Sequence, residues 1–200
     1  MNLVSNAMIG LVFIVAACAQ MGDATVTVPP HAGVPGGFPG LPPGPVALTG
    51  FEDSAGTGVL PGQIGERTTI GDVPMGTITL QPPPGSLLRA AIAADLAAAG
   101  HTVSAGAAAG APMLEGHLRR FVLATPATAL YWDVTIDAAL AIRAQSAART
   151  QARDLAALCR ERTYAFPANE LIARVAAHCV DDLARQVRDD PEIAHALGAP

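Results

Sequence analysis

Tyr131-Trp132-Asp133-Val134-Thr135-Ile136-Asp137-Ala138-Ala139-Leu140-Ala141-Ile142-Arg143 is the stretch that decides the fold. Trp132, Val134, Ile136, Ala138, Leu140 and Ile142 occupy alternate positions, and Tyr131, Asp133, Thr135, Asp137 and Arg143 fall between them. Successive strand side chains point to opposite faces, so this period of two predicts a long strand with one buried and one wet face. Upstream, Leu114, Gly116 and Leu118 alternate, and Phe121 and Leu123 continue on the opposite parity. A bulge near Arg119-Arg120 restores the register, and Thr125-Pro126-Ala127-Thr128 is the hairpin connection. Downstream, residues 151–164 carry helix-favouring Ala, Leu, Arg and Glu, yet Leu155, Ala157 and Cys159 alternate as in a strand. A long hairpin leaves an open edge, which favours the strand.

Working outward, Leu171, Val175, Cys179, Leu183 and Val187 share one helical face beyond Pro167. Asp190-Pro191 stops that helix and opens a short last one with Ile193 and Leu197. In the N-terminal half, Ser86 is the expected N-cap of a helix with Leu88, Ile92 and Leu96 on its stripe, and Gly100 its C-terminal stop. A strand over 46–51, a Gly-rich loop, an extended segment over 75–80 and a strand from His101 complete this half. The expected class is α+β, an antiparallel-rich sheet with long hairpin strands and two main helices packed on one face.

The chain has 200 residues, half of them hydrophobic, with 14% charged and 4% aromatic. Its 12 basic residues are all arginine, and the formal charge is −5. No basic patch is available to neutralise phosphates, which argues against a nucleic-acid partner.

Residues 3–17 are mostly apolar, with the length of a secretory h-region and too short for a membrane span. They end in Val15-Ala16-Ala17-Cys18, which resembles the lipobox of bacterial lipoproteins. Small side chains before the cysteine let the backbone enter the signal peptidase, and the Cys18 thiol takes the diacylglyceryl group. The n-region Met1–Asn6 lacks Arg and Lys, and the alternatives are an ordinary secretory signal with a chance cysteine or a buried N-terminal strand. Two or more acyl chains on Cys18 would hold the protein stably to a membrane. Ala19 in place of an aspartate favours the outer membrane over the inner.

Pro29–Pro45 reads PPHAGVPGGFPGLPPGP, 12 of 17 residues Pro or Gly. Proline removes donors and glycine removes order, so the expectation is a spacer. Extended, the chain from Cys18 to Pro45 reaches roughly 80 Å. The expected organisation is therefore a lipoprotein signal peptide over 1–17, a lipid-anchored Pro/Gly-rich tether over 18–45 and one α+β periplasmic domain over 46–200.

The lipobox at Cys18, the early strand with Phe51 and Asp53, the helix Leu87–Gly100 leading to Val103, Leu114–Phe121, Trp132–Ile142, and Tyr164 and Pro167 before a helix ending in Arg188-Asp189-Asp190 together resemble the YajG-like family of bacterial lipoproteins. The resemblance implies an envelope lipoprotein without an established enzymatic role and with no family catalytic residues to carry over.

With Cys18 lipidated, Cys159 and Cys179 remain as an even pair in an oxidising compartment. A helix folding back over its own sheet could bring them into a disulfide; the alternative is two small buried side chains that never meet. His31, His101, His117, His178 and His195 show no metal-ligand spacing and read as surface residues. Ser54, Ser86, Ser104 and Ser146 lack a nucleophile-elbow setting, and the run over 104–111, SAGAAAGA, lacks the Lys of a phosphate loop. Asp133 and Asp137 lie about 13 Å apart along one strand face, too far for a carboxylate pair.

The sequence thus points to a non-catalytic envelope lipoprotein without cofactor or metal, held to the membrane by acyl chains on Cys18 and binding an unknown envelope protein. Tyr131, Arg119 and Arg120 are the candidate contacts. Auxiliary lipoproteins of ABC-type lipid-transport systems, with their similar β–α–β plan and long strands, supply the alternative, and a periplasmic hydrolase the remaining one.

Overall fold

A computed structural model describes residues 22–51, 60–106 and 111–198. In chain order its strands are β1 (Ala24–Thr27), β2 (Pro45–Gly50), β3 (Gln63–Thr69), β4 (Val73–Gln81), β5 (Thr102–Ser104), β6 (Met113–Ala124), β7 (Trp132–Gln145) and β8 (Thr150–Thr163). Its helices are α1 (Pro84–Ala98), α2 (Asn169–Asp189) and α3 (Pro191–Leu197).

The long meander follows from the alternation. Val134, Ile136, Ala138, Leu140 and Ile142 of β7 are buried, and β7 runs antiparallel to β6 on one side and β8 on the other. The expected bulge is present, as a register shift between Leu118 and Arg120. It turns Phe121 and Leu123 to the same side as Leu118, so both halves of β6 feed one core. Residues 150–163 are a strand: β8 pairs with β7 over its whole length, from Trp132↔Thr163 to Gln145↔Thr150.

The sheet is mixed, which corrects the antiparallel-rich expectation. Among the described residues, four of its seven strand pairings are parallel: β1 with β4, β2 with β5, and β6 with both β2 and β3. The physical reason is connectivity. Strands joined by a tight turn run antiparallel, whereas β2 and β5 are separated along the chain by β3, β4 and α1, and α1 reverses the direction of β4 so that β5 runs with β2. Alternation within a strand carries no information about its neighbour's direction. One edge of β6 serves two strands, β2 along Met113–Gly116 and β3 at Leu123, and the sheet curls there.

The helices α1 and α2 lie in contact with each other over this sheet, α1 against β5 and β6, α2 against β7, β8 and β1. The amphipathic stripe Leu171, Val175, Cys179, Leu183 and Val187 is buried as its spacing requires. Burying each such aliphatic side chain contributes about 1.5–3 kcal/mol. Ser86 is not the N-cap of α1. Pro83 holds that position, and Pro84 begins the helix with its fixed φ and no donor to satisfy. Gly100 does end it: at φ +90° its N–H reaches Ala97 O while His101 N–H reaches Leu96 O, a Schellman closure. Asp190 caps α3 by accepting from Glu192 N–H and Ile193 N–H.

The tether over 18–45 is corrected as well. β1 adds in parallel to β4, Ala24 opposite Ile78 through Thr27 opposite Gln81. Val26, Val28 and Phe38 are buried in the common core, and Leu41 packs on it. The folded unit therefore begins by residue 24, not 46. Proline and glycine keep residues 29–44 free of helix and strand, but they do not bar an irregular segment from lying against a surface that offers apolar contacts and hydrogen bonds.

Candidate functional site

Cys18 lies outside the described residues, as do Asp53 and Ser54 of the sequence reading. Three residues separate Cys18 from Gly22, whose N–H donates to Met75 O at 2.8 Å. Asp23 Oδ1 accepts from Thr77 N–H at 2.8 Å, and these bonds hold its carboxyl below the ordinary aspartate value. The chain is therefore fastened to β4 at once, and no long leash follows residue 22.

A second fastening lies further on. Asp95 sits on the buried stripe of α1 and is fully covered. His31 Nε2 stands 2.9 Å from Asp95 Oδ1, and His31 Nδ1 stands 2.7 Å from Asp181 Oδ1 on α2. Val34 N–H donates to Asp95 at 2.9 Å, and Arg188 Nη1 lies 3.5 Å from its other oxygen. With carboxylates at both ring nitrogens, both must donate, which only the imidazolium does. Burial opposes that charge, but the bonds to Asp95 and Asp181 outweigh it and raise the His31 pKa above its usual value. The sequence reading placed all five histidines at the surface; His31 and the buried His101, edge-on to Phe38, depart from it. The available signal was an acidic residue at the helical spacing of Ala91 and Ile92.

The outward face of β6–β8 is a lattice of ion pairs. Arg119 meets Asp154 at 3.0 Å and Arg120 meets Asp137 at 2.9 Å, so two of the three candidate contacts are already engaged within the domain. Asp133 is held by Arg162, 2.9 Å from Nε, and by Arg160. The hydrogen bonds from Arg162 first and Arg160 second bring its carboxyl down to about 2. A groove of about 460 Å³ on this face is lined by Glu115, His117, Arg119, Arg143, Arg153 and Asp154. A smaller apolar cleft, about 240 Å³, opens between Leu87 and Ala90 of α1 and Ala177 and Val180 of α2, beneath Val28–His31.

Tyr131, the third candidate, belongs to an aromatic group at one end of the sheet. The Arg162 guanidinium lies 3.8 Å from its ring centroid, and Tyr164 stands edge-on to it at 6.5 Å. Trp132 is edge-on to Phe166, and its indole N–H donates to Thr68 O at 3.3 Å. Arg67, fully buried, bonds Asn169 and faces the Phe166 ring.

Cys159 of β8 and Cys179 of α2 are joined in a disulfide, with Cα atoms 5.6 Å apart. Among the described residues no group of three or more His, Cys, Asp or Glu side chains could hold a metal ion. No helix among them is long and apolar enough to cross a membrane.

The chain matches no protein-family model and no curated protein. It is similar in structure to a Xanthomonas campestris protein of the DUF330 family, with a TM-score of 0.54 at 11% identity over 82% of this chain and 91% of that one. It is also similar to an uncharacterised protein, with a TM-score of 0.50 at 11% identity over 84% and 97%. These likenesses concern the fold alone. A candidate lipoprotein of Caulobacter crescentus is similar over 58% of this chain and 85% of its own, at 16% identity and a TM-score of 0.34, too loose a superposition to argue from. The YajG-like resemblance rests on the sequence alone.

Proposed function

We propose that the protein is a lipid-anchored component of the bacterial envelope, held by acyl chains on Cys18, whose folded domain binds a protein partner without catalysing a reaction. The observation that carries this reading is the lipobox Val15–Cys18 ending three residues before a segment already bonded to the sheet. Signal peptide, lipidation and then the domain follow one another with almost no intervening chain. The disulfide supports an oxidising compartment. Several charged groups of the long hairpin are spent on one another, as the pairs Arg119–Asp154, Arg120–Asp137 and Arg162–Asp133 that order the surface. Outer-membrane residence rests on Ala19.

The auxiliary-lipoprotein reading, with the partner an ABC-type lipid transporter, is supported by the β4–α1–β5 succession and the long strands β7 and β8, in keeping with the β–α–β plan and long strands of such domains. Crosslinking in intact cells followed by identification of the attached proteins tests both. A transporter subunit as the main adduct supports the second reading; a different envelope protein supports the first alone. Recovery of the protein only as an unattached, soluble species contradicts both.

A further inference from the structure

We infer that one end of the domain, formed by the β3–β4 turn, the β6–β7 loop and the chain leaving β8, is the surface that rests on the lipid bilayer. The inference rests on the anchoring at Cys18 proposed above.

Two independent observations converge on this end. The first is where the chain comes from. β1 runs parallel to β4, and β4 runs away from the β3–β4 turn, so the chain enters β1 from the turn side. Gly22 lies beside Met75, two residues beyond the start of β4 at Val73. The four peptide units from Cys18 to Gly22 span at most about 14 Å. An acyl group on Cys18 therefore holds Gly22, beside Met75 near the start of β4, within about that distance of the lipid, where a free spacer to Pro45 would have left the domain at any orientation.

The second observation is what this end exposes. Among the described residues seven large hydrophobic side chains stand exposed, and four of them, Ile70, Val73, Leu130 and Tyr164, are here. Leu130 and Tyr164 are 75% and 77% exposed. The contacts that gather them are internal: Thr68 bonds Thr125, Trp132 bonds Thr68, and Tyr131 and Tyr164 meet edge to face. Tyrosine and tryptophan favour the headgroup layer, with an apolar ring below and a polar tip in water. Arg162, bonded to Asp133, stacks on Tyr131 and holds that ring in place at this end. Among the described residues the opposite end, at the turn after β7 over Ser146–Arg149, offers no comparable group, and it lies about 45 Å away along the strands.

The test uses the full acylated chain, reconstituted in vesicles of phosphatidylcholine and phosphatidylglycerol that carry a nitroxide lipid quencher near the headgroups. Trp132→Phe removes the single native tryptophan, and Leu130→Trp or Ala148→Trp supplies a new one at either end. Tyr164→Trp is a second probe of the same end. The expected result is strong quenching and a blue shift for the probes at 130 and 164, with emission at 148 unchanged. An acylated, vesicle-bound chain whose probes at 130 and 164 ignore the quencher, or whose probe at 148 is quenched as much, overturns the orientation alone. A chain that carries no acyl group and stays in the supernatant overturns the anchoring and this inference with it.

Discussion

His31 lies 2.9 Å from Asp95, a residue 64 positions further along, and that contact binds an irregular Pro/Gly segment to the buried face of a helix. The pair has a consequence for pH. The native His31 pKa is raised above its ordinary value of 6.5, so the stabilisation is complete below about 6.5 and is lost as pH rises through the native value. Wild type is expected to gain thermal stability over the His31→Gln variant in mildly acid buffer and to lose that advantage in mildly alkaline buffer. Because the variant leaves Asp95 buried beside fewer donors, the low-pH difference is about 2 kcal/mol. Paired melting curves across this range check it; a difference independent of pH contradicts the assignment of imidazolium.

Asp133 behaves in the opposite sense. Arg162 and Arg160 depress its carboxyl to about 2 from 3.8, so its contribution is present above 3.8 and disappears as pH falls through about 2. Asp133→Asn is expected to be less stable than wild type at neutral pH, with most of that difference gone near pH 2, as read by chemical denaturation at both values.

The bond between Cys159 and Cys179 closes a loop of 20 residues. Cross-linking at that length stabilises by about 3 kcal/mol. The double variant Cys159→Ala, Cys179→Ala is expected to melt about 6–12 °C lower than wild type. Non-reducing peptide mapping is expected to find the two cysteines in one linked peptide; free thiols at both would remove this brace.

Gly116 of β6 packs against Phe51, and a Cβ there would collide with the ring, which is buried. Gly116→Ala is expected to destabilise by about 1–3 kcal/mol, the usual range for overpacking. Gly106 has nothing near the position of an added Cβ, and Gly106→Ala is expected to be neutral. Denaturant midpoints of the two variants make the comparison internal.

How far the sequence was legible follows from which signals are local. The β6–β7 hairpin, its bulge at Leu118–Arg120 and the stripe of α2 were readable because alternation and helical spacing are written in consecutive residues. β3 was read as a Gly-rich loop because Gln63–Thr69 holds one large aliphatic residue, Ile64, amid polar neighbours. β1 was missed because it is only four residues long and abuts the Pro/Gly run, and the segment that follows was hidden by proline and glycine, although Val26, Val28 and Phe38 are apolar at positions a free spacer would not need. Strand direction and the link between His31 and Asp95 depend on residues far apart in the chain, and no local pattern reports them. Of the candidate site, the disulfide pair and Tyr131 were nameable in advance; the aromatic end was not, since Ile70, Leu130 and Tyr164 come to one end only through the pairing of the sheet.

The mass of the mature N-terminal peptide decides whether Cys18 is the anchor. Purified from membranes, the protein is expected to begin at Cys18 and to carry a diacylglyceryl thioether with a further acyl group on the new amine. A mature chain that still holds residues ahead of an unmodified Cys18 would contradict the anchor, the compartment and the proposed orientation of the domain.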